Sequence, residues 1–235
     1  MHVFVLAGGE GTRLRPYTYS IPKPMMVLGG KPLLQYVLEN LRRCGFSDVT
    51  LTVGYKHETI VDYFGDGSKF GMKIAYSIEK EKLNTAGSIY AFRKGVKGTF
   101  AVVMGDHLTD IDMKDMLKKH REGGNIATIA LYHAKSPLEY GIATIKGGKV
   151  TGFSEKPVLE HYYNTAIYIF EPEIFEFIGE KEDFGRDVFP KLLKAGKPIN
   201  AYVFDGVWFD IGRVSDYERF VESFNLMRML EKLKS

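Results

Sequence analysis

The chain has one cysteine, Cys44, and one tryptophan in 235 residues. A lone thiol forms no internal disulfide, so stability does not rest on an oxidising compartment. Cys44 reads as a small apolar residue at the end of a helix. No apolar run approaches the ~20 residues of a membrane span. The first residues have neither a charged n-region nor a cleavage site, so no signal peptide is expected. A cytoplasmic protein is the default expectation. Basic blocks are short and the formal net charge is +3, which gives no argument for nucleic acid. The 6 histidines are scattered without ligand spacing, and no Ser/His/Asp or Cys/His set stands out. Repeats, linkers and low-complexity stretches are also missing.

What remains is ordinary for a globular domain: 45% apolar and 26% charged residues. The length suits a single domain. Short apolar runs alternate with helical patterns. Strands are expected over residues 2–8, 48–54, 73–78 and 99–106. The last is apolar almost throughout, as a buried parallel strand should be. Helices are expected over 31–45, 57–64 and about 85–94. In the first of these Pro32 suits the first turn, Leu33, Leu34, Val37, Leu38 and Leu41 make the apolar stripe, and Gly45 supplies the stop. This alternation argues an open α/β sheet covered on both faces. The second half is richer in strands: 125–134, a hairpin over 141–156 turning at Gly147-Gly148, 162–170 and 199–211. The sheet is therefore expected to be mixed. Apolar positions 220, 221, 224, 227, 230 and 233 mark a C-terminal amphipathic helix, about 213–234. Its stripe of Phe220, Phe224, Met227 and Leu230 could build a homo-oligomer or pack on its own domain.

The loop after the first strand, LAGGEGTRLRPYTYSIPKPM, holds three glycines, two arginines, one lysine and three prolines in 20 residues. Glycine brings backbone N–H groups close to anionic oxygens. The P-loop pattern is absent. The G-x-G-x-x-G pattern fails at its third position, which is Leu14. Instead Arg13, Arg15 and Lys23 stand among prolines 16, 22 and 24, which restrict the backbone. A merely solvated basic loop has no need of that rigid spacing around a lysine.

This stretch resembles the signature of the sugar-1-phosphate nucleotidyltransferases. Further stretches fit in order: VVMGDHLTD, YGIATI, EKP, NTAIYIF and WFDIGRVSDY. The resemblance covers nearly the whole chain and implies a three-layer α/β/α sandwich with a mixed, mostly parallel sheet, the nucleotide-diphospho-sugar transferase fold. A C-terminal β-helix, which many relatives add, is not expected in a chain of this length. The implied reaction joins an NTP to a sugar 1-phosphate and releases pyrophosphate. The attacking phosphate is already anionic near neutral pH, with a second pKa of about 6, so no base is needed. Positioned cations, backbone N–H groups and a metal stabilise the charge that spreads in the transition state.

By resemblance, Leu6, Gly8, Gly9, Gly11, Thr12 and Arg13 bind the nucleotide, with Arg13 on the leaving pyrophosphate. Lys23 reaches the α-phosphate. Asp106 ends an apolar strand, at the edge where α/β sheets bind ligands, and Asp210 ends another. Two carboxylates suit Mg2+, which takes few protein ligands. Lys156 in EKP is assigned to the sugar's phosphate. Glu155 and Asn164 are assigned to its hydroxyls, and Tyr140 and Gly141 to close approach. Gly87 and Glu79 lie where relatives hold the base. Glutamate only accepts, which suits the paired donors of guanine. GTP with mannose 1-phosphate is therefore the expected pair, with thymidylyl or uridylyl transfer to glucose 1-phosphate as the alternative. A non-catalytic sugar-nucleotide sensor and a glycosyltransferase using DID at 110–112 are the readings from other classes.

Two departures from the pattern are visible. Thr165-Ala166 stands where Ala-Gly is frequent, which suggests a tighter sugar pocket. Asn84 stands where glycine is usual, and asparagine tolerates positive φ. His107, beside Asp106, is read as a bystander.

Overall fold

Alternate residues of the first strand face opposite ways, and both ways are buried. Val3, Val5 and Ala7 enter one apolar cluster, and Phe4 and Leu6 enter another. The structure, a computed structural model, describes residues 1–234, with side chains through Phe224. The elements run β1 (His2–Ala7), β2 (Val27–Leu28), β3 (Lys31–Pro32), α1 (Leu33–Arg43), β4 (Asp48–Val53), α2 (His57–Phe64), β5 (Lys73–Ile78), α3 (Asn84–Tyr90), β6 (Phe100–Met104), β7 (His107–Thr109), α4 (Met113–Gly123) and β8 (Ala127–Pro137). They continue through β9 (Ile142–Lys146), β10 (Lys149–Ser154), β11 (Val158–Phe170), α5 (Phe189–Lys194), β12 (Asn200–Phe204), β13 (Trp208–Asp210) and α6 (Val214–Lys234).

Seven strands form the central sheet in the order β12-β8-β11-β6-β1-β4-β5. Only β11 runs against its neighbours. The sheet is thus mixed and mostly parallel, as expected. One face carries α1, α2 and α4 through Leu34, Val37, Leu38, Leu41, Ile60, Phe64, Met113 and Met116. The other carries α3 and α5 through Ala86, Ile89, Phe189 and Leu192. Burying each such side chain contributes about 1.5–3 kcal/mol, so both helical layers are held mainly by packing. No helix among the described residues is long and apolar enough to cross a membrane.

The chain passes from β1 to β4 and β5 on one side, then returns to β6 on the other side of β1. That reversal opens a crevice at the carboxyl ends of β1 and β6, where the glycine loop and Gly105-Asp106 emerge.

Several boundaries differ from expectation. Lys31 and Pro32 pair with Leu28 and Val27, so the first helix begins at Leu33 and Pro32 precedes it in extended conformation. The helix expected over 85–94 ends at Tyr90. The strand expected over 199–211 is two strands in different sheets. The break falls at Asp205-Gly206 and is braced by Asp110: its Oδ1 accepts the Val207 N–H at 2.7 Å, and a methyl at Gly206 would collide with that carboxylate. Asp112 caps α4 by accepting from the Lys114 and Asp115 N–H groups. Both acidic residues of DID therefore have structural partners. Cys44 is buried at the end of α1, as expected.

A third cluster joins Leu14, Met26 and Leu28 of the signature loop to Leu33, Leu108 and Ile211. Tyr217, Phe220, Val221 and Phe224 of α6 pack against it. Phe220 and Phe224 thus face their own domain, while Met227 and Leu230 lie outside the described side chains.

Candidate active site

The glycine loop folds back on itself before it reaches Lys23. Gly11 has φ +61, and a methyl there would press on Thr18 Cγ2 at 3.0 Å and Lys23 Cβ at 3.1 Å. The Thr18 hydroxyl donates to the Gly11 carbonyl at 2.9 Å, and Tyr55 donates to the Thr18 carbonyl at 2.9 Å. Gly9 has open space beside it. Arg15 stays outside, over the Tyr19 ring and 3.7 Å from Glu10. Leu6 lies in the core below, its carbonyl accepting the Gly105 N–H at 2.9 Å. Thr12 opens the short helical turn that carries Arg13.

Lys23 ends this path in a buried position. Its Nζ lies 2.7 Å from Asp106 Oδ2 and 3.1 Å from Asp210 Oδ1. Three residues from well-separated parts of the chain thereby meet. Burial alone would lower the Lys23 pKa, but the two carboxylates more than offset it and raise it. Asp210 is held far below the usual carboxylate range by a hydrogen bond from His107, against its burial, with Lys23 adding to the effect. Arg13 and Asp210 both border Gly212, where a methyl would meet Arg13 Nη1 at 3.5 Å and Asp210 Oδ2 at 3.7 Å. The second oxygen of Asp106, Oδ1, is buried with no hydrogen-bond partner among the described residues. An orphaned carboxylate oxygen beside a second carboxylate is a fitting donor set for a hard divalent cation.

His107 belongs to this cluster and is no bystander. Its Nε2 lies 3.3 Å from Asp210 Oδ1 and its Nδ1 3.0 Å from the Thr165 carbonyl. Burial would lower its pKa, but the hydrogen bond to Asp210 and the two negative charges raise it overall. The one sequence signal was its place directly after Asp106, which spacing rules for metal or nucleophile sets do not capture.

Glu79 follows β5 and turns toward the glycine loop, its Oε2 3.1 Å from where a Gly8 Cβ would stand. Its Oε1 is buried with no hydrogen-bond partner of good geometry among the described residues. Burial raises its pKa, and Ser88 and Thr52 oppose that. Gly87, in α3 beside Ser88, packs so closely on the backbone of Glu180 that a methyl would not fit. Asn84 has φ +61 and Ala166 φ +55, so both occupy conformations in which glycine is easiest.

The residues assigned to the sugar lie along β11 and its approach. Lys156 is exposed, with φ +43, in the turn before β11. Gly141 packs against Phe153 and Glu155, and Tyr140 is 81% exposed. Asn164 begins an irregular stretch of β11. Its Oδ1 accepts the Ala166 N–H at 3.0 Å and its Nδ2 donates to Tyr168 at 3.0 Å. Half of its hydrogen-bonding capacity is therefore used within the strand.

The family described as nucleotidyl transferase matches residues 2–225. The chain belongs to this family. The UTP--glucose-1-phosphate uridylyltransferase of Synechocystis sp. is 42% identical, over 92% of this chain and 61% of that protein. The chain thus spans less than two thirds of that relative's length. The D-glycero-alpha-D-manno-heptose 1-phosphate guanylyltransferase of Aneurinibacillus thermoaerophilus is 35% identical over 93% of this chain and 96% of its own length. Among solved structures, HddC from Yersinia pseudotuberculosis complexed with GMP-PN has a TM-score of 0.74 at 28% identity, covering 95% of this chain and 99% of that one.

Proposed function

We propose that the protein transfers a nucleotidyl group from an NTP to a sugar 1-phosphate, giving an NDP-sugar and pyrophosphate. The observation that carries this is the buried Lys23 set between Asp106 and Asp210 at the mouth of the glycine loop. An oxygen of the sugar phosphate attacks the α-phosphorus and pyrophosphate departs. The loop from Gly8 to Arg13 holds the triphosphate, with Arg13 on the departing pyrophosphate. Lys23 neutralises charge at the α-phosphate as it reacts. These cations are in place before the reaction, so they need no reorganisation when charge develops. Asp106 and Asp210 would hold Mg2+, which would draw charge from the phosphate oxygens.

Lys156, with Glu155, Asn164, Tyr140 and Gly141, forms the sugar-phosphate subsite in this reading. Asn164 keeps one amide hydrogen and one lone pair for a hydroxyl. Lys156→Ala is expected to raise KM for the sugar 1-phosphate about 10-fold or more, with little change in kcat, because its contact is made equally before and during reaction. Steady-state kinetics at saturating NTP measures this. An unchanged KM would remove Lys156 from the subsite.

For the base, we favour guanine. Guanine presents two adjacent donors on its pairing edge, N1–H and the 2-amino group. Glu79 presents a half-buried carboxylate near Ser88 and Thr52, whose Oε1 has no hydrogen-bond partner of good geometry among the described residues. Binding guanine would satisfy both oxygens and favour the ionised form. Cytosine presents an acceptor there and would be repelled. The guanylyltransferase relative supports this choice, with mannose 1-phosphate or a similar hexose phosphate as acceptor. Uridylyl transfer to glucose 1-phosphate is the second reading, favoured by the 42% identical relative. The deciding values are kcat/KM for GTP, UTP, dTTP, CTP and ATP in the wild type and in Glu79→Gln. GTP is expected to lead in the wild type and to lose that lead in the variant, since a site built on hydrogen bonds rejects mismatched partners strongly. UTP or dTTP ahead of GTP in the wild type would refute guanine and leave the reaction class standing.

A further inference from the structure

The β7–β13 ladder sets His107 directly opposite Asp210, and the two side chains meet at 3.3 Å. The other side of the ring meets a different part of the molecule. The Thr165 carbonyl lies 3.0 Å from Nδ1, and a carbonyl only accepts, so Nδ1 carries the proton and donates.

That carbonyl is available because β11 is irregular at this point. The register of β11 against β8 shifts between Asn164 and Tyr168. Inside the shift, Ala166 takes φ +55 and donates its N–H to the Asn164 side chain, while the Thr165 hydroxyl donates to the Ala130 carbonyl at 2.8 Å. Each of these bonds fixes the direction of the Thr165 peptide. The imidazole itself is only 11% exposed and stands edge-on to Trp208, with ring centres 5.7 Å apart at 83°. A contact at each ring nitrogen holds its orientation. His107 is therefore a rigid strut between the bulge of β11 and the carboxylate of Asp210.

We propose that His107 is a positioning residue, which locks Asp210 to the bulge of β11 and so holds the Lys23–Asp106–Asp210 group in register with the strand that carries Asn164. The proposal rests on the nucleotidyl-transfer reading given above. Without the strut, Asp210 would keep Lys23 as its one close cationic partner and lose its tie to β11. The sugar phosphate and the α-phosphate would then be held by parts of the molecule no longer fixed to each other, and small misplacements of reacting groups are costly.

Two substitutions separate the two bonds. In His107→Asn the amide nitrogen sits near the place of Nδ1 and can keep the Thr165 bond alone. In His107→Gln it reaches the place of Nε2 and can keep the Asp210 bond alone. A strut needs both, so each variant is expected to lower kcat by about 10–100-fold, the range typical of residues that orient charged ligands. KM for both substrates should stay within about 3-fold, because the ring is only 11% exposed and acts through Asp210. The emission of Trp208, the sole tryptophan, should rise in both variants as the imidazole leaves its edge.

Several results would overturn the proposal. Wild-type kcat in both variants with an active wild type would remove the positioning role and leave the reaction class intact. A loss of kcat matched by collapse of the thermal transition would make the role merely structural. Unchanged Trp208 emission would mean that the ring does not stand where the strut requires. A wild type that transfers no nucleotidyl group with any NTP would overturn the reading on which the proposal rests, and the emission result would still report separately on the geometry.

Discussion

Asp106→Asn and Asp210→Asn are each expected to lower turnover by about 10²–10³-fold while leaving the fold intact, the usual cost of removing one preorganised charge-stabilising group. The two carboxylates share one cation in different ways. Asp106 bonds Lys23 through Oδ2 and keeps Oδ1 buried without a hydrogen bond among the described residues, 3.7 Å from His107 Nε2, whereas Asp210 Oδ1 receives both Lys23 and His107. An asparagine preserves shape but halves the negative charge that holds Lys23 and would hold a divalent cation. Asp210→Asn carries a second signature. The pKa of Asp210 is depressed in the folded state, so its ionised form adds stability above the usual carboxylate range and loses it as the pH falls. The variant should therefore melt below the wild type at neutral pH, and the gap should narrow in acid. Kinetics at saturating substrates, with melting curves at pH 7 and pH 3, measure both effects. Near-wild-type turnover in both variants would refute the metal assignment.

Lys23→Ala should produce a loss of similar size through a different route. In the proposed reaction the ammonium serves the α-phosphate, and at rest it lies between the two carboxylates. Removing it should lower kcat about 10²–10³-fold with little effect on KM for the NTP, since its strongest contact forms as the α-phosphorus reacts. It also leaves Asp106 and Asp210 facing each other. Breaking a fully buried ion pair costs about 3–5 kcal/mol. Asp210 is 36% exposed, so a smaller cost of about 1–3 kcal/mol is expected here. For a domain of this size that lowers Tm by about 2–12 °C. A variant with wild-type kcat would show that Lys23 only neutralises the carboxylates.

Much of this arrangement was legible in the sequence, and the reasons are specific. The strands at 2–7, 48–53 and 73–78 are short and apolar, bounded by turn residues, and they form a parallel sheet as such runs should. The glycines of the hairpin at 147–148 both have positive φ, as a two-residue turn requires. Lys23, Asp106 and Asp210 were linked by the resemblance, and the structure brings them together; Asp210 ends β13, but the strand expected to run through Asp106 stops at Met104 and leaves Asp106 in the turn before β7.

Local pattern did not reveal what depends on contacts between distant residues. In the run at 199–211 the Asp205-Gly206 pair is a turn signal that the single long strand overlooked; what stays hidden is that Asp110, nearly a hundred positions earlier, braces that turn by accepting the Val207 N–H. His107 carries no motif of its own, because its two partners come from β13 and from the bulge in β11. The register shift in β11 is likewise hidden, since Thr165-Ala166 reads as ordinary strand sequence. Asn164 looked free to meet a sugar, yet its amide already braces that bulge.

The central claim is nucleotidyl transfer at the Lys23–Asp106–Asp210 group. The most direct test incubates the wild type and Asp106→Asn with Mg2+, each of the five NTPs and mannose or glucose 1-phosphate, and follows pyrophosphate and NDP-sugar together. The account expects equal amounts of both products, formed only when NTP, sugar 1-phosphate and metal are all present, and reduced about 10²–10³-fold in the variant. Binding of nucleotides without pyrophosphate release under any combination, or equal release by the variant, would contradict it.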